Sequence, residues 1–178
     1  MANGILKQAI NNIVDALGNL VGWQSGQGQD FGAVLVLGQQ HVAVSAPADT
    51  NENTLYSLTI PGGMMGPNDT LRISYLGTCT NSANTKNLRV RFGGTAFQSS
   101  SVTTVAGVSI ITSIKNRNSV AAQAAAASAA GDCSGSVGLL TATVNTANAQ
   151  TLTITGTKAS AGETLTLESV LVELIRGA

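Results

Sequence analysis

His41 is the single histidine of the chain, and a hydrolytic triad would need it beside a Ser or Cys nucleophile and a carboxylate. No nucleophile elbow accompanies it, so a structural or surface histidine is expected. Asp49 and Glu52 could act as an acid/base pair or as part of a cation site. They stand in APADTNENT, however, whose composition is that of a solvated turn. Asp30, Asp69 and Asp132 each stand alone among turn residues, and no Asp-rich calcium loop is present. Cys79 and Cys133 lack metal-ligand spacing and are too few for a disulfide framework. Two buried or half-buried thiols are the expectation, with a bridge between them left open.

Three further patterns resolve the same way. GQGQDFG comes near a dinucleotide-binding fingerprint, but Gly32 falls one residue too far along and no strand precedes the motif. Asn68-Asp69-Thr70 is a glycosylation sequon without a secretory signal ahead of it, so it is taken as coincidence. Arg89 and Arg91 beside Phe92 suggest a nucleic-acid face, yet nine basic residues balance nine acidic ones over the whole chain. A neutral chain projects no field to draw in polyanions, so a solvated strand face is expected. No catalytic residue, cofactor or metal site, nucleic-acid partner or membrane partner follows from these residues.

The elements that position these residues are mostly strands. In KNLRVRFGG, Leu88, Val90 and Phe92 fall on one face and Arg89 and Arg91 on the other, the pattern of a strand with one wet side. FGAVLVLG, QHVAVSA, TLYSLTI, LRISYLGTC, LLTATVNT and AQTLTITGT are short β-rich runs separated by turn residues. TNSANTK is read as a hairpin-sized polar loop. SVTTVAGVSIITSIKN is one long β-branched stretch, and the Ala-rich VAAQAAAASAAGDCSGSVG is read as a loop. In ETLTLESVLVELI, Leu165 and Leu167 are followed by Val170, Val172 and Leu174, while Leu171 and Ile175 take the opposite face. Such a strand is buried on both sides at its end, or it bulges near Glu168. Leu171 and Ile175 are therefore candidates for an inter-subunit face.

Eight to ten such strands in 178 residues point to a mainly β fold, an antiparallel β-sandwich for which a jelly roll is the leading topology. One segment departs from this. In GILKQAINNIVDALGNLVGW, Leu6, Ile10, Ile13, Leu17 and Leu20 follow each other at the spacings of a coiled-coil seam, which predicts an N-terminal amphipathic α-helix. A helix this short is marginal alone in water and needs a partner. The expected organisation is a helix over 1–22 for anchoring or oligomerisation, a Gly/Gln-rich linker over 23–30, and the sandwich over 31–178. Charged residues make up only 10% of the chain and mean hydropathy is +0.22, so its surfaces suit cover by neighbours. The opening lacks the features of a secretory leader, and no run approaches the ~18 apolar residues of a membrane span.

Between Ile60 and Ile175, the turn in IPGGMMGPNDT, the TNSANTK loop, the RFGGT exit, the NRNS turn and the closing TLTLESVLVEL together resemble jelly-roll structural proteins of tailed bacteriophages. That resemblance implies a virion location, with assembly in the bacterial cytoplasm and no enzymatic activity. The implied roles are capsid decoration or cement, or a fibre-type module. The expected partners are sister copies, most simply as a homotrimer, and the major capsid or other virion proteins. A tail-fibre or collar appendage that binds host-surface carbohydrate is the alternative.

Overall fold

The computed structural model of the protein describes residues 34–127, 129–132 and 138–177. The expected helix with Leu6, Ile10, Ile13, Leu17 and Leu20, the linker, Asp30 and Cys133 lie outside these residues.

Eleven strands are present among the described residues: β1 (Val34–Gln40), β2 (Val44–Ser45), β3 (Asn53–Ile60), β4 (Thr70–Cys79), β5 (Lys86–Phe92), β6 (Thr95–Val102), β7 (Gly107–Asn116), β8 (Gln123–Ala126), β9 (Leu139–Ala142), β10 (Gln150–Lys158) and β11 (Leu165–Ile175). They form two antiparallel sheets. The larger runs β1-β11-β4-β7-β8-β9, with β2 also paired to β11, and the smaller runs β3-β10-β5-β6. The expected antiparallel β architecture is thus present.

Alternation along each strand places the core. Leu71, Ile73 and Tyr75 of β4 and Val170, Val172 and Leu174 of β11 are buried with Leu88, Val90 and Phe92 of β5 and Leu152 and Ile154 of β10. One apolar layer therefore lies between the two sheets, and each fully buried side chain contributes about 1.5–3 kcal/mol relative to exposure. Close approach restricts some positions to glycine: a Cβ on Gly38 would sit 2.3 Å from the Tyr56 hydroxyl oxygen. The RFGGT exit closes a two-residue β5–β6 hairpin in which Gly93 and Gly94 both have positive φ, as a type I′ turn requires.

Of the two alternatives for the closing run, the bulge near Glu168 is present, where the β11–β4 register shifts between Leu167 and Ser169. Three other expectations need correction. TNSANTK does not close a hairpin, because β4 pairs with β11 and β7 while β5 pairs with β10 and β6. A polar loop of that length serves a crossover between sheets as well as a turn within one. The long run after Ser101 is likewise divided, with the end of β6 in the smaller sheet and β7 in the larger. The Ala-rich segment contributes a strand, since β8 pairs with both β7 and β9. Alanines carry no hydrophobic period, so backbone pairing there leaves little trace in the sequence.

One core residue is imperfectly matched. Thr112 on β7 is fully buried, and its Oγ1 has no hydrogen-bond partner. Valine has nearly the same shape without the stranded hydroxyl, so Thr112→Val is expected to raise the free energy of unfolding by about 1 kcal/mol. Urea denaturation read by circular dichroism checks this, and a lowered midpoint would contradict it.

Candidate assembly surface

The sequence-nominated chemical residues divide into two groups in the fold. His41 is exposed between β1 and β2. Cys79 is a buried free thiol whose Sγ donates to the Val105 carbonyl at 3.3 Å, and burial pushes its pKa up. Asp49 accepts from Asn51 N at 3.0 Å and Asn53 Nδ2 at 2.8 Å, the geometry of an Asx turn. Among the described residues, no three His, Cys, Asp or Glu side chains gather where they could hold a metal ion.

Glu52, Arg89 and Arg91 behave differently from the solvated residues expected of them. Arg91 donates from Nε to Glu52 Oε1 at 2.7 Å and from Nη2 to Oε2 at 2.9 Å, a two-point fork. Arg89 Nη1 adds a contact at 3.1 Å, and the Thr155 hydroxyl donates to Oε1 at 2.6 Å. Glu52 thus reaches from the start of β3 across β10 to β5 and ties the outer face of the smaller sheet. The Arg91 and Thr155 donors hold its carboxyl well below the ordinary value of 4.5, at about 2. A depressed folded-state pKa stabilises fully above the unfolded value, and that contribution disappears as pH falls from 4.5 toward 2. Glu52→Gln is therefore expected to cost about 1–2 kcal/mol at pH 7. The gap between variant and wild type should close on acidification; denaturation curves at pH 7, 4 and 2.5 check this, and a constant gap would contradict it.

Asp69 and Asp132 also have partners that their turn-like surroundings concealed. The Asp132 carboxylate accepts from both the backbone N and the Oγ of Ser113, while its own N donates to the Ile111 carbonyl at 2.8 Å. Gly131 and Asp132 thereby lie against β7 at Ile111 and Ser113. Gly131 allows this close approach: its φ is +76°, and a Cβ would lie 2.0 Å from the Ile111 oxygen.

The two outer faces contrast strongly. On the smaller sheet, the outward residues of β10 are Thr151, Thr153, Thr155 and Thr157, beside Asn87, Arg89 and Arg91 of β5. That face is polar apart from Ala96 of β6, which pairs with Arg91. On the larger sheet, Leu76 of β4 is 49% exposed and Ile111 of β7 is 52% exposed, next to half-buried Leu171 and Ile175 of β11. Val34 and Val36 of β1 extend the apolar surface to the sheet edge, at 48% and 57% exposure. Arg72 and Glu173 cross it as an ion pair at 2.8 Å, which lowers the Glu173 pKa. An open depression of about 680 Å³ runs over Arg72, Ser74, Ile111, Leu171, Glu173 and Ile175.

Leu171 and Ile175 thus lie where the sequence placed them, opposite the buried Val170, Val172 and Leu174. Leu76 and Ile111 were missed. Their signal was a broken alternation: each follows a core residue, Tyr75 or Ile110, and so falls on the otherwise polar face of its strand. No protein-family model, curated protein or solved structure matches this chain.

Proposed function

We propose that this chain is a non-enzymatic structural protein of a tailed-bacteriophage particle, a jelly-roll body made trimeric by its N-terminal helices. Its place would be as a capsid decoration, cement or head-fibre module. The observation that carries this reading is the contrast between the outer faces, one without any large apolar side chain and the other presenting Leu76, Ile111, Leu171 and Ile175. Large exposed apolar side chains gathered on one face, here interleaved with Ser74 and the Arg72–Glu173 ion pair, are the usual mark of a surface meant to be covered. The strand order supports the jelly roll, since the chain passes repeatedly from one sheet to the other and β1-β11-β4-β7 faces β3-β10-β5-β6. The phage setting rests on the resemblance of the turns between Ile60 and Ile175.

In this account the helix stripe of Leu6, Ile10, Ile13, Leu17 and Leu20 packs on its counterparts in sister chains or on a capsid protein. Burying five such side chains supplies about 5–10 kcal/mol before ordering costs are subtracted. Linked copies then bind the particle with avidity. The alternative, an appendage that binds host carbohydrate, stacks sugars on exposed rings. Tyr56, Tyr75, Phe92 and Phe97, the aromatic residues among those described, are all buried in the core, which favours the scaffold reading.

The test is mass spectrometry of purified, nuclease-treated particles from a host that produces this chain. Its peptides are expected at many copies per particle. Their absence from particles, or loss of particle attachment on glycan-array-guided substitution of a surface residue, would overturn the reading.

A further inference from the structure

We propose that the outer face of the larger sheet packs on the same face of a second copy of this chain, about a two-fold axis running along β4. The inference rests on the assembly reading above and names the partner of that surface.

Strand register carries it. Across β11, β4 and β7, the outward residues fall in rows: Ile175, Thr70 and Lys115; then Glu173, Arg72 and Ser113; then Leu171, Ser74 and Ile111; then Ser169, Leu76 and Ser109. A two-fold axis along β4 keeps each row and exchanges its two ends. Leu171 then meets Ile111 of the partner subunit, and Ile111 meets Leu171 of the partner subunit. Leu76, on the axis, meets Leu76 of the partner subunit. Every strongly exposed apolar residue on these three strands thus finds an apolar counterpart without any change of register.

The charges stay balanced in sum under the same operation. Glu173 is turned toward Ser113 of the partner subunit, between the partner's Lys115 and the partner's Asp132, and Arg72 meets Arg72 of the partner subunit across the axis with its charge offset by its own Glu173 at 2.8 Å. Arg72 and Lys115 balance Glu173 and Asp132 on this face, so self-association meets no net like-charge repulsion. The size suits a concentration-dependent pairing. Three strands at about 4.8 Å spacing and ten residues at about 3.3 Å rise give a footprint of roughly 480 Å². That is below the ~800 Å² per partner of a standard interface and in the range of weaker associations. Aligned face-to-face packing is a normal arrangement for two twisted sheets.

The experiment uses the full chain, with mass followed by light scattering over a range of concentrations. Wild type is expected to form a dimer of trimers. Leu171→Arg should leave trimers and raise the concentration for pairing by ~100-fold or more, the scale of a central interface residue. Ser74→Arg, on the outward face of β4, should do the same if Leu171→Arg fails to fold. Under mild oxidation Leu76→Cys should cross-link to itself, whereas Lys115→Cys, off the axis, and wild type should not. Pairing that survives both arginine variants would overturn the inference, as would efficient cross-linking of Lys115→Cys but not Leu76→Cys. Trimers that never pair would also overturn it while leaving the trimer standing. Pairing in a chain that never forms trimers would support the face contact and remove the trimer.

Discussion

Asp69→Ala is expected to lower the free energy of unfolding by about 3 kcal/mol. The Asp69 side chain is only 5% exposed in the loop between β3 and β4, yet it gathers the end of the chain. Its Oδ2 accepts from Arg176 Nη1 at 2.7 Å and Gly66 N at 2.8 Å, and its Oδ1 accepts from Gly177 N at 2.8 Å. Alanine removes the acceptor from two backbone N–H groups and the ion-pair partner of a guanidinium that is then held by the Met64 carbonyl at 2.6 Å. The loss therefore exceeds that of a surface ion pair. Hydrogen exchange at Gly66 and Gly177 should accelerate even where the sandwich remains folded, because the clamp opens locally. Asp69→Asn keeps one acceptor oxygen and should cost about half as much. Equal stability of Asp69→Ala and wild type in urea would show that the C-terminal clamp contributes nothing.

Gln123→Ala is expected to cost about 2–4 kcal/mol, through acceptors and donors left without partners in the interior. Gln123 on β8 is 1% exposed. Its Nε2 donates to Asn116 Oδ1 at 2.7 Å and to the Val144 carbonyl at 2.9 Å, and its Oε1 accepts from Val144 N at 2.7 Å. Asn116 Nδ2 in turn donates to the Gly66 carbonyl at 2.8 Å and to Thr146 Oγ1 at 3.0 Å. Two amides, Gln123 and Asn116, thus join β7, β8 and the segment after β9 to the loop that holds Asp69. A double-mutant cycle of Gln123→Ala with Asn116→Ala should give a combined loss smaller than the sum, because the second change removes groups already unpaired by the first. Strict additivity in urea denaturation would contradict a connected network.

The sequence disclosed what depends on neighbouring residues. Alternation placed Leu88, Val90 and Phe92 inward, the doubled apolar register of β11 left a bulge at Glu168 as one of two alternatives, and the same strand set Leu171 and Ile175 opposite its core residues. It did not disclose which strands share a sheet, because a polar loop such as 80–85 serves a hairpin or a crossover equally. Long-range polar partners were also hidden. Glu52 meets arginines 37 and 39 residues away, and Asp69 meets Arg176 at a separation of 107. Each such carboxylate stands in a Gly-, Asn- or Thr-rich turn, where local composition favours solvation. Gln123 was obscured by its alanine neighbours, although a lone amide in an apolar run hints at a buried network. For the assembly face, the readable trace was the out-of-phase Leu76 and Ile111.

Whether the N-terminal stripe assembles the chain is read from the solution mass of the full chain carrying Leu171→Arg, with and without Ile13→Asp. With the sheet face silenced, a trimer is expected that becomes a monomer when the stripe is broken. A monomer in both cases, or a trimer indifferent to Ile13→Asp, would contradict it.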